Sequence, residues 1–269
     1  MSKNPDLATA FHDLHRGPAV LLLPNAWDAG SARLIESLGA RAIATTSAGV
    51  AWAHGYPDGD ALPVPLVIAT AAAITGAIRV PLTVDIEGGY SDDPAAVGAL
   101  VGALLEAGAI GVNLEDGAGT PDLLCAKIAA CRRVARELGV ELFINARTDV
   151  YLRGLVPEAA RVAEACARAA RYRDAGASGI FVPGVVEPAA IAAIARAVEL
   201  PLNVLSWPGL PAAAELAALG VRRVSIGTSF ARAALNALLR AATEVRDRGT
   251  FDYLDGVPSV SDFNRLIAP

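Results

Sequence analysis

LTVDIEGGYSDDPAAVGALVGALLEAGAIGVNLED, residues Leu82 to Asp116, decides the fold. Its two ends, Leu82–Glu87 and Ile110–Glu115, are short apolar runs that close on acidic residues. Between them Pro94–Ala107 reads as a helix that opens on proline and stops at Gly108. Proline suits a first helical turn, whose N–H groups have no partner, and glycine accepts the left-handed turn that ends a helix. A strand, a helix and a second strand in this order predict parallel strands joined by a crossover.

Working outward, the same unit recurs. Strands are predicted at Ala19–Leu23, Arg41–Thr45, Leu82–Glu87, Ile110–Glu115, Leu142–Arg147, Gly179–Pro183, Leu202–Leu205 and Arg223–Gly227. Helices are predicted near Ala29–Leu38, Pro65–Ala77, Pro94–Ala107, Leu123–Leu138, Pro157–Asp174, Pro188–Val198, Pro211–Ala218 and Ser229–Arg246. Eight strands, each followed by a helix, predict an α/β chain folded as one (β/α)8 barrel of the TIM type. An open doubly wound sheet would carry a glycine-rich phosphate turn after its first strand, and Leu23-Pro24-Asn25-Ala26-Trp27 is not one. Residues 1–269 read as a single domain, with 247–269 a C-terminal tail holding a last helix near Ser261–Leu266.

Composition narrows the function. At 54% hydrophobic and 19% charged, the chain can bury a large core. Its mean hydropathy of +0.42 raises the question of a membrane. The longest uncharged run, Leu62–Ile78, contains Pro63, Pro65 and Gly76 and falls short of the roughly 20 residues a span needs. Met1–Phe11 lacks the basic-then-apolar pattern of a secretory signal, so a soluble cytoplasmic protein is expected. A net charge of −5 with scattered Lys and Arg argues against nucleic-acid binding. Cys125, Cys131 and Cys166 form no CxxC pair and read as inert thiols, with neither zinc site nor disulfide framework.

Barrel chemistry sits at the carboxyl ends of the strands. Those ends read Thr45-Thr46-Ser47-Ala48-Gly49, Asp85-Ile86-Glu87, Asn113-Leu114-Glu115-Asp116 and Asn145-Ala146-Arg147-Thr148-Asp149. Side chains alternate along a strand, so Asp85 and Glu87 share one face, with Val84 and Ile86 on the other. Turned inward, Asp85, Glu87 and Glu115 crowd together, with Arg147 beside them. Crowded carboxylates are costly to bury, and a hard cation held by oxygen ligands, Mg²⁺ or Mn²⁺, removes that cost. A salt-bridged cap of Asp85 and Glu87 on Arg147 is the plainer alternative. His54, four residues before Asp58, is a candidate acid or base near neutral pH, or simply a solvated loop residue. His12 and His15 are expected on the surface of an N-terminal helix. Gly227-Thr228-Ser229 is expected to be an ordinary helix cap.

Six ordered pieces lie at these strand ends. They are Asn25-Ala26-Trp27-Asp28-Ala29-Gly30-Ser31-Ala32-Arg33, Thr46-Ser47-Ala48-Gly49-Val50, Gly55-Tyr56-Pro57-Asp58, Val84-Asp85-Ile86-Glu87-Gly88-Gly89-Tyr90, Asn113-Leu114-Glu115-Asp116 and Ala146-Arg147-Thr148-Asp149. Together they resemble the isocitrate lyase/phosphoenolpyruvate mutase superfamily from about Leu22 to Arg246. The resemblance implies that Asp85 is the nearest metal ligand, with Glu87 and Glu115 holding metal-bound waters. It implies that Asp58 joins that shell or acts on substrate. Backbone N–H groups at Thr46, Ser47 and Ala48 would grip the substrate carboxylate, with Arg147 as its cationic partner. It further implies C–C or P–C bond chemistry beside an oxo-acid, through an enolate-like fragment chelated to Mg²⁺. Superfamily members are usually tetramers that exchange a C-terminal helix, so a homo-oligomer, tetramer or dimer, is expected, its tail packing on a neighbouring subunit.

The chain also departs from the pattern. Glu87 stands where the family usually has Asp. The Lys-Cys-Gly-His-type loop of the isocitrate and methylisocitrate lyases is replaced by Gly117-Ala118-Gly119-Thr120-Pro121-Asp122. The loop lysine of the mutase branch has no counterpart between Glu115 and Lys127, Ala44 replaces an aromatic, and Pro183-Gly184 stands where the lyases place a Glu. The expected activity is Mg²⁺-dependent C–C cleavage, aldol-type or decarboxylating, of a small 2-oxo or hydroxy di- or tricarboxylic acid. Its rivals are phosphonopyruvate-type P–C chemistry and a non-catalytic barrel that binds 2-oxo acids.

Overall fold

The computed structural model describes residues 4–17 and 19–268; residues 1–3, 18 and 269, included in the single-domain reading, lie outside them. The strands are β1 (Leu21–Leu23), β2 (Asn25–Ala26), β3 (Ile43–Thr45), β4 (Leu82–Asp85), β5 (Gly111–Glu115), β6 (Phe143–Arg147), β7 (Gly179–Phe181), β8 (Leu202–Leu205) and β9 (Val221–Ser225). All pair in parallel in the order β1-β9-β8-β7-β6-β5-β4-β3-β2. The two ends of that order are halves of one stave, split at Pro24, which has no N–H to give the ladder. Pro24 still accepts from Ala44 N at 3.0 Å, so the cylinder closes. Apart from β1, whose Leu22 is exposed, the strands are largely buried on both faces, as parallel staves wrapped by helices are.

The helices are α1 (Asn4–Leu14), α2 (Ala29–Ser37), α3 (Ser47–Ala53), α4 (Val64–Ala77), α5 (Pro94–Glu106), α6 (Pro121–Glu137), α7 (Arg161–Ala175), α8 (Pro188–Ala197), α9 (Ala213–Ala218), α10 (Ser229–Arg248) and α11 (Val260–Ile267). Local chemistry starts and stops them. Asp28 caps α2 by accepting from Ser31 N, and Asp93 caps α5 by accepting from Ala95 N. Gly176 closes α7 at φ 111°, a conformation open mainly to glycine.

Three expectations change. The stretch after β3 is a short helix, α3, which carries Ser47 and Ala48 in its first turn. His15 is buried rather than superficial: with Phe11 it packs on Phe143, the first residue of β6, its ring stacking on that of Phe143 at 4.1 Å. The end of α1 therefore closes the amino-terminal end of the barrel, because an open apolar cylinder end would face water. Thr228 caps α10 without a side-chain bond, and its hydroxyl instead shares a hydrogen bond with that of Thr46, 3.0 Å away.

The tail returns to its own barrel, where Arg33 Nη2 on α2 donates to Ala268 O just beyond α11. Apolar residues on α10 and the tail remain exposed, among them Leu238, Leu239, Phe251 and Val260. Among the described residues no helix is long and apolar enough to cross a membrane. The three thiols are free, and burial pushes Cys131 up to about 12, in keeping with an inert role.

Candidate active site

Asp85 ends β4 at the open mouth of the barrel. Its backbone N–H donates to Thr45 Oγ1 at 2.8 Å, and its Oδ2 lies 3.4 Å from Ser47 N at the start of α3. Its other oxygen, Oδ1, is buried with no hydrogen-bond partner. Burial raises this carboxyl above its ordinary range, against the pull of Arg147 and of Ser47 N–H. The expected grip by three successive N–H groups is reduced, because Thr46 N is already bound to Ala26 O at 3.1 Å. Ser47 and Ala48 remain, in the first turn of a helix whose leading N–H groups have no intrahelical partner.

Glu87 reaches the site by a different route from the one its parity predicts. Strand β4 stops at Asp85, and Glu87 adopts a left-handed φ of 50°. Asp60 (57°) and Tyr90 (58°) do the same, so the described non-glycine residues with positive φ all gather here. Such backbone strain persists only where surrounding bonds over-determine it. Those bonds are present: Glu87 Oε2 accepts from Gly59 N at 2.9 Å and Asp60 N at 2.6 Å, Oε1 accepts from Tyr90 OH at 3.3 Å, and Asp60 Oδ1 accepts from Tyr90 N at 3.1 Å. Gly89 permits the turn, since a Cβ there would sit 2.7 Å from Val97. The loop bearing Asp58 is thereby pinned over β4, and the charge of Asp58 acts on both Asp85 and Glu87. Burial, then the neighbouring acids, push Glu87 up to about 7, against the Asp60 N–H.

Glu115 and Arg147 are paired in register on β5 and β6, which sets Arg147 Nη1 2.7 Å from Glu115 Oε2. Burial raises the Glu115 carboxyl, and Asp85, Asp149 and Glu87 add to the rise while Arg147 opposes it. Burial works against the charge of Arg147, but Glu115 and Asp149 outweigh it and hold the guanidinium above its ordinary value. Asp149, wholly buried, takes Arg147 Nε at 2.7 Å and Nη2 at 3.1 Å, and also Arg153 Nε at 2.9 Å. Behind it Asp116 accepts from Asp149 N, Arg168 Nη1 and Tyr172 OH, at 2.9, 2.8 and 2.6 Å. A cleft of about 490 Å³ opens beside Glu115, bordered by Asp60, Lys127 and Arg153.

Asp85, Glu87, Glu115 and Arg147 thus share one charge environment. His54 stands apart, at the other end of α3 from Ser47, with Nε2 3.0 Å from Thr70 Oγ1. Among the described residues no three His, Cys, Asp or Glu side chains close tightly enough to hold a metal by themselves. The buried, unpartnered Asp85 Oδ1 nevertheless fits a single protein contact to a hard cation, whose remaining positions water and ligand oxygens fill.

Sequence reasoning missed the groups beneath. Arg223, wholly buried inside the barrel, donates through Nη2 to Asn113 Oδ1 at 3.2 Å and through Nε to Ser225 Oγ at 3.1 Å. Burial pushes it down to about 9, and Asp85 pulls it back up. Its sharing of one face of β9 with Val221 and Ser225, two residues to either side, was the available signal.

The chain matches the phosphoenolpyruvate phosphomutase family over residues 11–246. It belongs to that family. An uncharacterised protein of Mycobacterium tuberculosis is 40% identical to it over 242 residues, covering 88% of this chain and 89% of that one. An oxaloacetate decarboxylase of Pseudomonas aeruginosa is 30% identical over 71% of this chain and 68% of its own. A Burkholderia cenocepacia structure solved as a candidate lyase/mutase superposes with TM-score 0.90 at 39% identity, covering 98% of this chain and 96% of that one. Other relatives and neighbours include a 2-methylisocitrate lyase and a phosphonopyruvate hydrolase solved with oxalate and Mg²⁺, the latter 24% identical and alike in fold. The family member described here is accordingly an enzyme of the isocitrate lyase/phosphoenolpyruvate mutase superfamily.

Proposed function

We propose that this enzyme uses a divalent metal, Mg²⁺ or Mn²⁺, to break a C–C bond in a small 2-oxo or hydroxy di- or tricarboxylic acid. The observation that carries the reading is the bare, buried Oδ1 of Asp85, set among Glu87 and Glu115 with Arg147 alongside. A buried carboxylate oxygen without a partner is costly, and a cation is the partner that removes the cost. Asp85 would hold the ion directly, with Glu87 and Glu115 behind bound waters. The ion supplies Lewis-acid stabilisation of charge developing beside the carbonyl. The remaining work falls to the chain itself. Ser47 and Ala48 N–H groups orient the substrate carboxylate, and Arg147 stabilises the negative charge left when the bond breaks. Asp58, on a loop fastened by Glu87, would move a proton, a role His54 would share only if its contact with Thr70 were released.

The phosphonate alternative finds less support. The loop Gly117–Thr120 holds no lysine, and Lys127 gives its ammonium to Gly88 O at 2.8 Å and to Asp92 at 3.5 Å. Assembly as a homo-oligomer belongs to the same reading, supported by the apolar residues left exposed on α10 and the tail.

The test is Mg²⁺-dependent thermal stabilisation by oxalate, followed by a substrate panel monitored for pyruvate, glyoxylate, CO₂ and phosphate. Stabilisation by oxalate in Mg²⁺, its loss in Asp85→Ala and turnover of a carboxylic acid are expected. Unchanged binding in Asp85→Ala would remove the basis of the reading, phosphate release would move it to P–C chemistry, and binding without any turnover would favour the non-catalytic barrel.

A further inference from the structure

Asp149 holds two guanidinium groups, and they stand in different states. Arg147 is engaged through every nitrogen: Nε and Nη2 bond Asp149, and Nη1 pairs with Glu115. Arg153, half exposed on the turn after β6, gives Asp149 only its Nε. Among the described residues its two terminal amino groups have no hydrogen-bond acceptor, and Nη2 lies 4.0 Å from where a Cβ on Gly117 would stand. Arg153 borders the 490 Å³ cleft that has Glu115 on its rim. Other charged groups around that cleft are engaged, Asp116 by Arg168 and Tyr172, and Lys127 by Gly88 O and Asp92.

We propose that Arg153 is a specificity-determining residue that binds a second, distal carboxylate of the substrate. This rests on the reading above, in which the first carboxylate lies on the Ser47 and Ala48 N–H groups, beside the metal held by Asp85. The physical argument is one of charge and reach. A single buried carboxylate fixes two arginines side by side, one facing the reacting end and one the adjoining cleft, so a dianionic chain leaving the first end past Glu115 meets the second. A cavity of this volume takes several atoms beyond the chelated fragment. A planar guanidinium with two free amino groups matches a carboxylate bidentately, which an ammonium does not. Gly117, in a left-handed turn at φ 52°, borders the same cleft. On this reading the cleft at Arg153 takes the far carboxylate of that di- or tricarboxylic acid.

The experiment compares matched pairs by calorimetry in Mg²⁺: oxaloacetate with 2-oxobutanoate, and 2-oxoglutarate with 2-oxopentanoate, using initial rates for any that turn over. Oxalate, too short to leave the first end, is the control. The wild type is expected to prefer the dicarboxylate in at least one pair by about tenfold, as a charge-assisted contact at a half-exposed group provides. Arg153→Gln should bring that ratio near one and leave oxalate binding unchanged, and Arg153→Lys should restore part of the preference. An equal preference in Arg153→Gln, or none in the wild type while oxalate binds, overturns the proposal alone. Failure of oxalate to bind the wild type in Mg²⁺ overturns the underlying metal reading, and this inference with it.

Discussion

Asp85 and Asp116 are both withdrawn from solvent at the ends of neighbouring staves, and the protein treats them in opposite ways. Asp116 receives a backbone N–H on one oxygen, and an arginine and a tyrosine hydroxyl on the other. Asp85 has one oxygen 3.4 Å from a single N–H and the other with no partner at all. Buried polar groups are almost always satisfied, so the unsatisfied one needs an explanation from outside the chain. Asp116 is architecture: it ties the β6 loop to α7 and so sets Asp149, which sets Arg147. The gap at Asp85 is the place proposed above for the metal.

That contrast can be broken most decisively by stability. Asp116→Ala leaves Arg168 Nη1, the Tyr172 hydroxyl and the Asp149 N–H without their acceptor in a buried place and should destabilise the fold by about 3–5 kcal/mol, lowering Tm by on the order of 10 °C. Asp85→Asn removes a buried charge that has no partner, so in metal-free buffer its Tm should be unchanged or higher. Adding Mg²⁺ should then stabilise the wild type and not Asp85→Asn. Thermal scans with and without the metal decide this, and a large loss of stability in Asp85→Asn would make the two carboxylates alike.

Arg147 stands between the two regions, bonded to architecture through Asp149 and to the open site through Glu115. Arg147→Lys keeps the charge but loses the planar fork whose three nitrogens reach Asp149 and Glu115 together. Steady-state kinetics on whichever acid the panel identifies should show kcat/KM lower by about 10²–10³, roughly 3–4 kcal/mol in the transition state. Near wild-type kinetics would place Arg147 wholly with Asp116 and its partners.

The barrel was legible because each stave and helix carries its own punctuation. Pro94 and Pro188 start helices at their first residues, and Gly176 ends one. Strand register then carried Glu115 to Arg147 without further information, since neighbours on parallel strands must meet. Parity failed at Glu87, because alternation holds only while the chain stays extended and β4 ends two residues earlier. The left-handed turns at Asp60, Glu87 and Tyr90 are set by mutual hydrogen bonds between segments about 30 residues apart, which local patterns cannot show. His15 was misread for a similar reason: it ends an amphipathic helix, and only the closed cylinder gives that helix a place to bury its ring.

The floor of the barrel sharpens the comparison from the opposite end, with the smallest effect. His15 Nδ1 bonds Phe11 O at 2.8 Å, while Nε2 is buried without a partner, so the ring is held neutral. Burial and then the charge of Arg223 push it down from 6.5 to about 3. The unfolded chain therefore takes up a proton that the folded one refuses, and the sign follows. Stability from this residue is complete above pH 6.5 and is lost as pH falls toward 3. Between pH 6.5 and 5 the loss amounts to about 2 kcal/mol. His15→Gln carries no charge at any pH, so its stability should fall less steeply over that interval, whatever its absolute Tm. Denaturant titrations at several pH values measure the slope, and equal slopes in both proteins would show that the ring is not kept neutral. Neither bare atom is satisfied by the chain, but His15 avoids the cost by staying uncharged, whereas Asp85 keeps a bare oxygen among acids, which the proposed cation would satisfy.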